Sequence, residues 1–174
     1  MADDIRWLTP LEMRAWRGYL ATHSRLLGLL DAELQATQEI SVPDYGVLVT
    51  LSEAPDHRLR MSELADRMLL SPSGLTRRID SLAREGLVER ALCPEDRRGT
   101  FAVLTRAGLD RLRRAAPQHV RQVRRHFIDR LTPDQLQVLA QVFEGVLEHL
   151  APDSAARTGS TGRLPESAGA TTLA

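Results

Sequence analysis

The fold is decided by residues 61–87, MSELADRMLLSPSGLTRRIDSLAREGL. This stretch predicts two short helices joined by a tight turn. Ser62 is the predicted cap of the first helix and Ser71 that of the second, because a serine hydroxyl accepts hydrogen bonds from the free N–H groups of a first helical turn. Pro72 follows at the first helical position, where a missing N–H costs little. Gly86 suits the left-handed position just past the end of the second helix.

The second helix has one apolar face and one face of small, polar or basic residues. Leu75, Ile79 and Leu82 recur at helical spacing and mark the side predicted to be buried. An arginine can fork onto a guanine edge or a phosphate, and a threonine can bond a base or a backbone oxygen. The pattern fits either a recognition helix in a major groove or an ordinary amphipathic helix with a solvated polar face. The predicted outward residues are Ser73, Gly74, Thr76, Arg77 and Asp80.

The residues after this helix favour the DNA-binding interpretation. Residues 87–91 and 100–104 are strand candidates, and the segment 93–99 between them is dense in turn formers. Two strands around a basic turn, directly after a helix–turn–helix, predict a wing. We expect Arg97 and Arg98 at its tip, where the negative potential of a minor groove attracts arginine. We expect Asp96 to hold a neighbouring arginine by a charge-assisted hydrogen bond.

With these motifs the chain resembles the MarR family of bacterial transcription regulators. The resemblance rests on LTRRIDSL at 75–82, EGLVER at 85–90, DRR at 96–98 and LTRAG at 104–108, in the family's order and spacing. It covers roughly residues 10–150, and Asp96 and Arg98 occupy the two fixed places of an Asp-x-Arg wing signature. The resemblance implies an obligate homodimer that binds a palindromic operator on double-stranded DNA and usually releases it on sensing a small molecule or an oxidant.

The expected fold is mainly α-helical with a small β-hairpin wing: a winged helix–turn–helix domain plus a helical dimerisation region. Capping boxes at Thr9 and Thr132 predict helices running to about residues 38 and 150, and both helices carry apolar stripes too wide for one small lobe to cover. The predicted regions are an N-terminal helical dimerisation region at 1–40, a winged helix–turn–helix DNA-binding domain at 41–105, a C-terminal helical dimerisation region at 106–150 and a disordered tail at 151–174.

The predicted helix after the wing, capped by Thr105, contains a proline. Pro117 is expected to kink this helix or end it early. Its apolar stripe is predicted to consist of Leu109, Leu112, Ala116, Val120, Val123 and Phe127.

Composition limits the class of protein. The chain of 174 residues is 43% hydrophobic, enough to fill a core, and contains no run of eighteen apolar residues that would predict a membrane span. The N-terminus is acidic and lacks an apolar run, so it does not resemble a signal peptide. One cysteine excludes an intrachain disulfide framework. We therefore expect a cytoplasmic protein.

The net charge is zero, but the charges are segregated along the chain. Residues 57–130 hold 17 Arg against 9 acidic residues, a net charge of +8, whereas residues 1–56 hold 4 against 9 and residues 131–174 hold 2 against 5. Basic charge therefore concentrates around the helix–turn–helix, the wing and the next helix, as expected for a surface that meets phosphate.

The candidates for an effector site are amphipathic side chains on the first two long helices. In the family that the chain resembles, the effector cleft lies between the dimer helices and the DNA-binding lobe. The resemblance therefore implies a pocket for a small aromatic acid near Trp16, Tyr19, His23 and Tyr45. The alternative interpretation is that these four are core and interface residues.

The sequence gives little support to redox sensing, metal binding or catalysis. Cys93 is either an inert thiol or a redox switch at the base of the wing. The five histidines form no local cluster with metal-ligand spacing, so we expect no metal site and no cofactor. No nucleophile elbow, phosphate-cradling glycine loop or pair of catalytic carboxylates is present in the sequence, which argues against an enzyme. The function predicted is a dimeric DNA-binding repressor that a small aromatic acid releases from its operator, with a winged-helix scaffold for protein partners as the alternative.

Overall fold

The computed structural model describes residues 5–93 and 96–151, with the backbone alone for residues 96–98. In this part of the chain the helices are α1 (Pro10–Gln38), α2 (Val42–Ser52), α3 (Met61–Arg67), α4 (Pro72–Arg84), α5 (Arg106–His126) and α6 (Pro133–Leu150). The strands are β1 (Arg58–Arg60), β2 (Val88–Cys93) and β3 (Asp96–Leu104). Short 3-10 turns lie at Pro55–His57 and Ile128–Arg130. The predicted mainly α-helical fold with a small β-hairpin is confirmed.

Side-chain caps fix where helices α1 and α6 begin. The Thr9 hydroxyl accepts from the Glu12 backbone N–H, and a Glu12 carboxylate oxygen accepts from the Thr9 N–H at 2.7 Å. Hydrogen bonds to the Glu12 carboxylate from the Thr9 backbone and side chain lower the pKa of Glu12, because they stabilise its charged form. Thr132 and Gln135 make the same reciprocal pair at the start of α6. Both capping boxes are where the sequence predicts them.

The predicted cap of α3 is wrong. The residue that precedes the helix is Arg60, which makes no side-chain capping bond, and Met61 is already helical. Ser62 therefore lies inside the first turn. The physical reason is that β1 runs directly into α3 without an intervening loop, so strand pairing fixes the position at which the helix begins.

The three strands form an antiparallel sheet in the order β1-β3-β2. Leu59 of β1 pairs with Ala102 of β3, so the short strand β1 joins the wing hairpin. The hairpin is longer than predicted, because the ladder continues to the pair Cys93–Asp96 beyond an irregularity at Leu92. Residues 96–99, which the sequence predicts to be turn, therefore have strand backbone, and the backbone of Arg97 and Arg98 belongs to β3.

One hydrophobic core joins the helix–turn–helix to the long helices in the compact unit that ends at His126. Leu34 of α1 lies in the same cluster as Leu48 and Leu51 of α2 and Leu112 of α5. The three predicted inward residues of α4, Leu75, Ile79 and Leu82, are at most 1% exposed. Burial of this face orients α4, which leaves its opposite face on the surface.

Helix α5 departs from the sequence prediction in two ways. It continues through Pro117 to His126, so the predicted early end is wrong. Its buried side also matches the predicted stripe only in part: Leu112 is buried as predicted, but Ala115 and Gln122 are buried as well, and Val120 is 53% exposed. The contacts with α1 and α2 decide which side of α5 is covered, and they select a face that the pattern of apolar residues alone does not identify.

The unit from Phe127 onward contains α6. Its apolar side chains are extensively exposed, among them Val142, Phe143, Leu147 and Leu150. Within the described ranges, no helix combines the length and the apolar character needed to cross a bilayer. Of the predicted disordered tail at 151–174, residues 152–174 lie outside the described residues.

Candidate nucleic-acid interface

Helix α4 is held at both ends by local bonds that the sequence predicts. The Ser71 hydroxyl accepts from the Gly74 backbone N–H at 3.2 Å, and Pro72 occupies the first turn. At the other end Gly86 has φ +72°. The N–H of Gly86 bonds to the Ala83 carbonyl and that of Leu87 to the Leu82 carbonyl, which is the Schellman pattern of a left-handed helix end.

The predicted DNA-facing residues of α4 lie together on its outer side. Ser73, Thr76, Arg77 and Asp80 are exposed, and Gly74 is partly exposed. An alanine Cβ at position 74 would lie 3.1 Å from the Ser71 hydroxyl oxygen, so this glycine keeps the capping bond uncrowded. The arrangement offers two hydroxyls and a guanidinium to a surface that approaches α4.

Asp80 has a partner that sequence reasoning missed. Arg90 projects from β2 and donates from Nη2 to the Asp80 carboxylate at 2.8 Å. The same nitrogen lies 3.5 Å from the Thr76 carbonyl oxygen. The wing sheet is thus attached to the outer face of α4. No local signal in the sequence identifies this pair, because the two residues lie on different elements.

A second arginine ties α4 to α2 on the opposite side. Arg78 donates from Nη1 to the Asp44 carboxylate at 2.7 Å, and both side chains are about three-quarters buried. The Ser41 hydroxyl donates to the same carboxylate. Neighbouring arginines therefore differ in role: Arg77 is exposed, whereas Arg78 is structural.

A polar cleft opens between the start of α3, α4 and the wing. Its volume is about 370 Å³, and it is lined by Arg60, Met61, Ser62, Thr76, Arg90, Gly99 and Thr100. The guanidinium of Arg60 lies 5.7 Å from the centre of the Phe101 ring and donates from Nη2 to the Cys93 sulfur at 3.2 Å. Cys93 itself is only 4% exposed.

The predicted wing residues are only partly described. The backbone of Asp96, Arg97 and Arg98 is in β3, but their side chains lie outside the described residues, as do Pro94 and Glu95 entirely. Their roles at the DNA therefore stay predictions.

The predicted effector residues form two groups. Trp16, Tyr19 and His23 follow one another along α1, with ring centres 6.0 Å and 5.9 Å apart. Tyr45 lies instead against His119 of α5, with ring centres 4.6 Å apart. Sequence reasoning missed His119 because it lies 74 residues beyond Tyr45.

Burial perturbs the protonation of this second pair. It raises the pKa of Tyr45, to which the charge of Glu53 adds, and it lowers the pKa of His119 from its ordinary value of 6.5. For both the phenol of Tyr45 and the imidazole of His119, desolvation disfavours the charged form. The His119 Nδ1 is buried and has no hydrogen-bond partner among the described residues. The pair is therefore neutral near pH 7, and it presents a ring nitrogen and a phenol hydroxyl in partly apolar surroundings.

The other histidine of α5 has a different partner. His126 lies 3.1 Å from the Glu33 carboxylate of α1, whereas His119 contacts Tyr45. Across the described ranges, no group of three or more His, Cys, Asp and Glu side chains is arranged to hold a metal ion. A second cleft of about 480 Å³ lies between α1 and α5 beside this contact, and Gln122 and Arg125 are among its lining residues.

Comparison with known proteins identifies the family. Residues 38–99 match a MarR family model. AbsC, a MarR family transcriptional regulator from Streptomyces coelicolor, is 44% identical and superimposes with a TM-score of 0.80 over 84% of this chain and 98% of its own. The chain belongs to the MarR family. It is a transcriptional regulator by that membership, and the predicted resemblance is confirmed.

Two further relatives bear on the function of this MarR family protein. Sco3205 from Streptomyces coelicolor, a MarR family regulator solved in complex with DNA, is 42% identical with a TM-score of 0.84 over 87% of this chain and 95% of its own. A transcriptional repressor of Bacillus subtilis, YetL, is 32% identical over 63% of this chain and 67% of that protein. The relatives named here are regulators rather than enzymes.

Proposed function

We propose that this MarR family regulator is a dimeric repressor that binds a palindromic operator and releases it when a small aromatic acid binds. The observation that carries the proposal is the outer face of α4. Thr76 and Arg77 are exposed beside the wing sheet, on a helix whose opposite face is anchored in the core. This is the geometry of a helix that enters a major groove.

The proposed DNA contacts divide into reading and positioning. Arg77 and Thr76 read base edges, while Ser73 and Gly74 allow the backbone to come close. Ser71 orients the first turn through its capping bond. Arg97 and Arg98 enter the minor groove, and Asp96 orients one of them. The DNA complex of Sco3205 supports a nucleic-acid partner for this fold.

The proposed dimer rests on apolar faces that the described chain leaves exposed. Trp16, Leu20 and Leu27 of α1 are 42–51% exposed, and α6 exposes a similar row. Contiguous apolar surface of this extent is rare on monomers. We therefore assign residues 1–40 and 106–150 to dimerisation and residues 41–105 to DNA binding. Repression is proposed because the relative YetL is a transcriptional repressor.

The proposed effector site uses the aromatic side chains of α1 together with the Tyr45–His119 pair. The Tyr45–His119 pair offers a phenol hydroxyl and a ring nitrogen beside apolar surface, and the stack of Trp16, Tyr19 and His23 offers flat apolar faces. A planar carboxylic acid fits such a combination of a few polar groups in an apolar setting.

Substitution of Arg77 tests the DNA-binding face. If Arg77 forks onto a base, Arg77→Ala weakens specific binding by about 1–3 kcal/mol and relaxes sequence preference at one position. The measurement is the affinity for a duplex that the wild-type protein selects from a randomised pool. Arg106→Ala, an exposed arginine on α5, is the matched control and leaves that affinity unchanged. Equal affinities for wild type and Arg77→Ala would remove the recognition-helix proposal.

The wing is tested by a pair of substitutions with opposite charge effects. Arg98→Ala should weaken binding and lower the slope of log affinity against log salt by about 0.9 for one lost phosphate contact. Asp96→Ala should also weaken binding, although it removes a negative charge near DNA. Tighter binding by Asp96→Ala would show that this acid does not orient a wing arginine.

Assembly and effector release need separate measurements. Sedimentation at micromolar concentration should show a dimer, and a stable monomer would contradict the proposed interface.

Operator affinity measured with a panel of aromatic acids should fall for at least one of them. Tyr45→Phe and His119→Phe should abolish that response while leaving DNA affinity intact. A panel without effect would remove the proposed effector class.

A further inference from the structure

The contact between Arg90 and Asp80 lies where the wing sheet meets the DNA-facing side of α4. Arg90 is on β2, opposite Ala102 of β3, so the central strand of the sheet fixes its backbone. Its Nη2 donates to the Asp80 carboxylate at 2.8 Å and lies 3.5 Å from the Thr76 carbonyl oxygen. The guanidinium therefore spans one turn of the outer face of the helix.

The position of Asp80 creates an electrostatic problem that Arg90 solves. Asp80 is exposed on the same face as Thr76 and Arg77, where an unpaired carboxylate would repel the phosphates of an approaching duplex. A charge-assisted hydrogen bond to a guanidinium neutralises the carboxylate and fixes its direction. The acid thus becomes a point of attachment between the wing and the helix.

We infer that Arg90 is a positioning residue for DNA reading, which acts through Asp80 to hold α4 and the wing at one fixed angle. The inference rests on the proposed operator binding and adds a determinant of specificity to it. A recognition helix and a wing read two different grooves, so their mutual orientation decides whether both sets of contacts form at once. Loss of the contact should therefore impair specific binding more than non-specific binding.

The competing role for Arg90 is a direct phosphate contact, since it also lines the 370 Å³ cleft together with Arg60 and Ser62. The two roles predict opposite results for Asp80→Ala. If Arg90 binds phosphate, removing the acid releases the guanidinium for DNA and strengthens binding. If Arg90 acts through Asp80, removing the acid weakens specific binding, although the protein loses a negative charge near DNA.

The experiment is a double-mutant cycle on the full chain with Asp80→Ala, Arg90→Ala and the double variant. Each protein is titrated with a duplex that the wild type selects from a randomised pool and with a scrambled duplex of equal length. We expect each single variant to lose about tenfold in affinity for the selected duplex, the effect of one hydrogen bond to a charged group. The scrambled duplex should bind within about threefold of wild type, and the double variant should be no weaker than Arg90→Ala alone.

Controls separate positioning from general loss of structure or charge. The Arg90 and Asp80 side chains are 35% and 55% exposed, so their pairing contributes little to stability and the melting temperatures should stay close to wild type. Arg106→Ala and Asp110→Ala break a pair inside α5 with the same charge changes and should leave the affinity ratio of the two duplexes unchanged. Arg90→Lys keeps the charge but not the planar fork, so it should recover only part of the specific affinity.

The outcomes are distinguishable. Tighter binding by Asp80→Ala would establish the phosphate role and overturn the inference. The same holds if Arg90→Ala loses equal affinity for both duplexes and its slope of log affinity against log salt is lower by about 0.9. Unchanged binding by all variants would also overturn it while leaving operator binding intact. A wild-type protein that selects no sequence would instead refute the proposed function itself.

Discussion

Gly108 lies where α5 meets the end of the wing sheet, and its substitution tests how closely the two are packed. A Cβ atom at this position would lie 2.7 Å from Cδ1 of Leu104 and nearer still to the carbonyl oxygen of Leu87. Real Cβ atoms essentially never approach a heavy atom closer than 3.0 Å, so the backbone of α5 or of Leu87 must move. We expect Gly108→Ala to destabilise the protein.

The magnitude follows from what that movement disturbs. The Leu87 carbonyl accepts from both the Thr105 N–H and the Thr105 hydroxyl, each at 3.1 Å, and this hydroxyl also caps α5 through the Gly108 N–H at 3.0 Å. Overpacking costs about 1–3 kcal/mol, and each weakened hydrogen bond costs up to about 1 kcal/mol more. The better helix propensity of alanine offsets about 1 kcal/mol. With the middle of the overpacking range and one weakened hydrogen bond, the net expected loss in the free energy of unfolding is about 2 kcal/mol.

The assay is urea unfolding followed by circular dichroism, repeated at several protein concentrations because the proposed dimerisation would make the apparent stability depend on concentration. Gly28→Ala is the matched control, since it lies within α1 and an added Cβ meets nothing within 4 Å. It should stabilise the protein by about 0.5–1 kcal/mol. The two glycines should thus respond with opposite signs. A Gly108→Ala variant as stable as wild type would refute the claim that α5 packs directly on the Leu87 carbonyl.

Two further predictions concern protonation and backbone strain. Burial lowers the pKa of His119, so this histidine binds a proton more readily in the unfolded chain than in the folded one. The stability of the wild type should therefore fall relative to that of His119→Phe as the pH drops below 6.5. Unfolding titrations at pH about 7.5 and 5.5 measure this difference in stability, and a difference that does not change with pH would contradict the prediction. Leu69 has φ +52° and 88% exposure at the end of α3, where it closes the same bonding pattern as Gly86 does for α4. Leu69→Asn should therefore raise the free energy of unfolding by about 0.5–1 kcal/mol, and Gly86→Ala should lower it by about 1 kcal/mol. Thermal melts measure both changes. Destabilisation by Leu69→Asn would contradict the argument that Leu69 is strained.

Local chemistry in the sequence determined where the main helices begin and which side of α4 is exposed. Caps at Thr9, Ser71 and Thr132 bond to backbone groups three residues away, so their effect does not depend on the rest of the fold. The spacing of Leu75 and Ile79 likewise fixes the buried face of α4, and with it the outward position of Arg77. These are interactions within one element, which a pattern of residue types is sufficient to predict.

Strand pairing and helix packing decided the features that local patterns did not predict. The register of β2 on β3 extends the ladder past the predicted strand ends and so places residues 96–98 in β3 rather than in the turn. Contacts with α1 and α2 select the buried side of α5, which covers Gln122 and leaves Val120 exposed. In both cases the outcome depends on the surface offered by another element.

The pairs that give the candidate site its chemistry also came only from the tertiary structure. Arg90 reaches Asp80 across the wing, and His119 reaches Tyr45 across two helices. Taken alone, each of these four residues resembles any other exposed or half-buried residue. The sequence around it does not indicate which residue will be its partner. Such pairs form because burial of the shared core brings α2, α4, α5 and the sheet together, and the free energy of that burial is a property of the whole set of contacts rather than of any one segment.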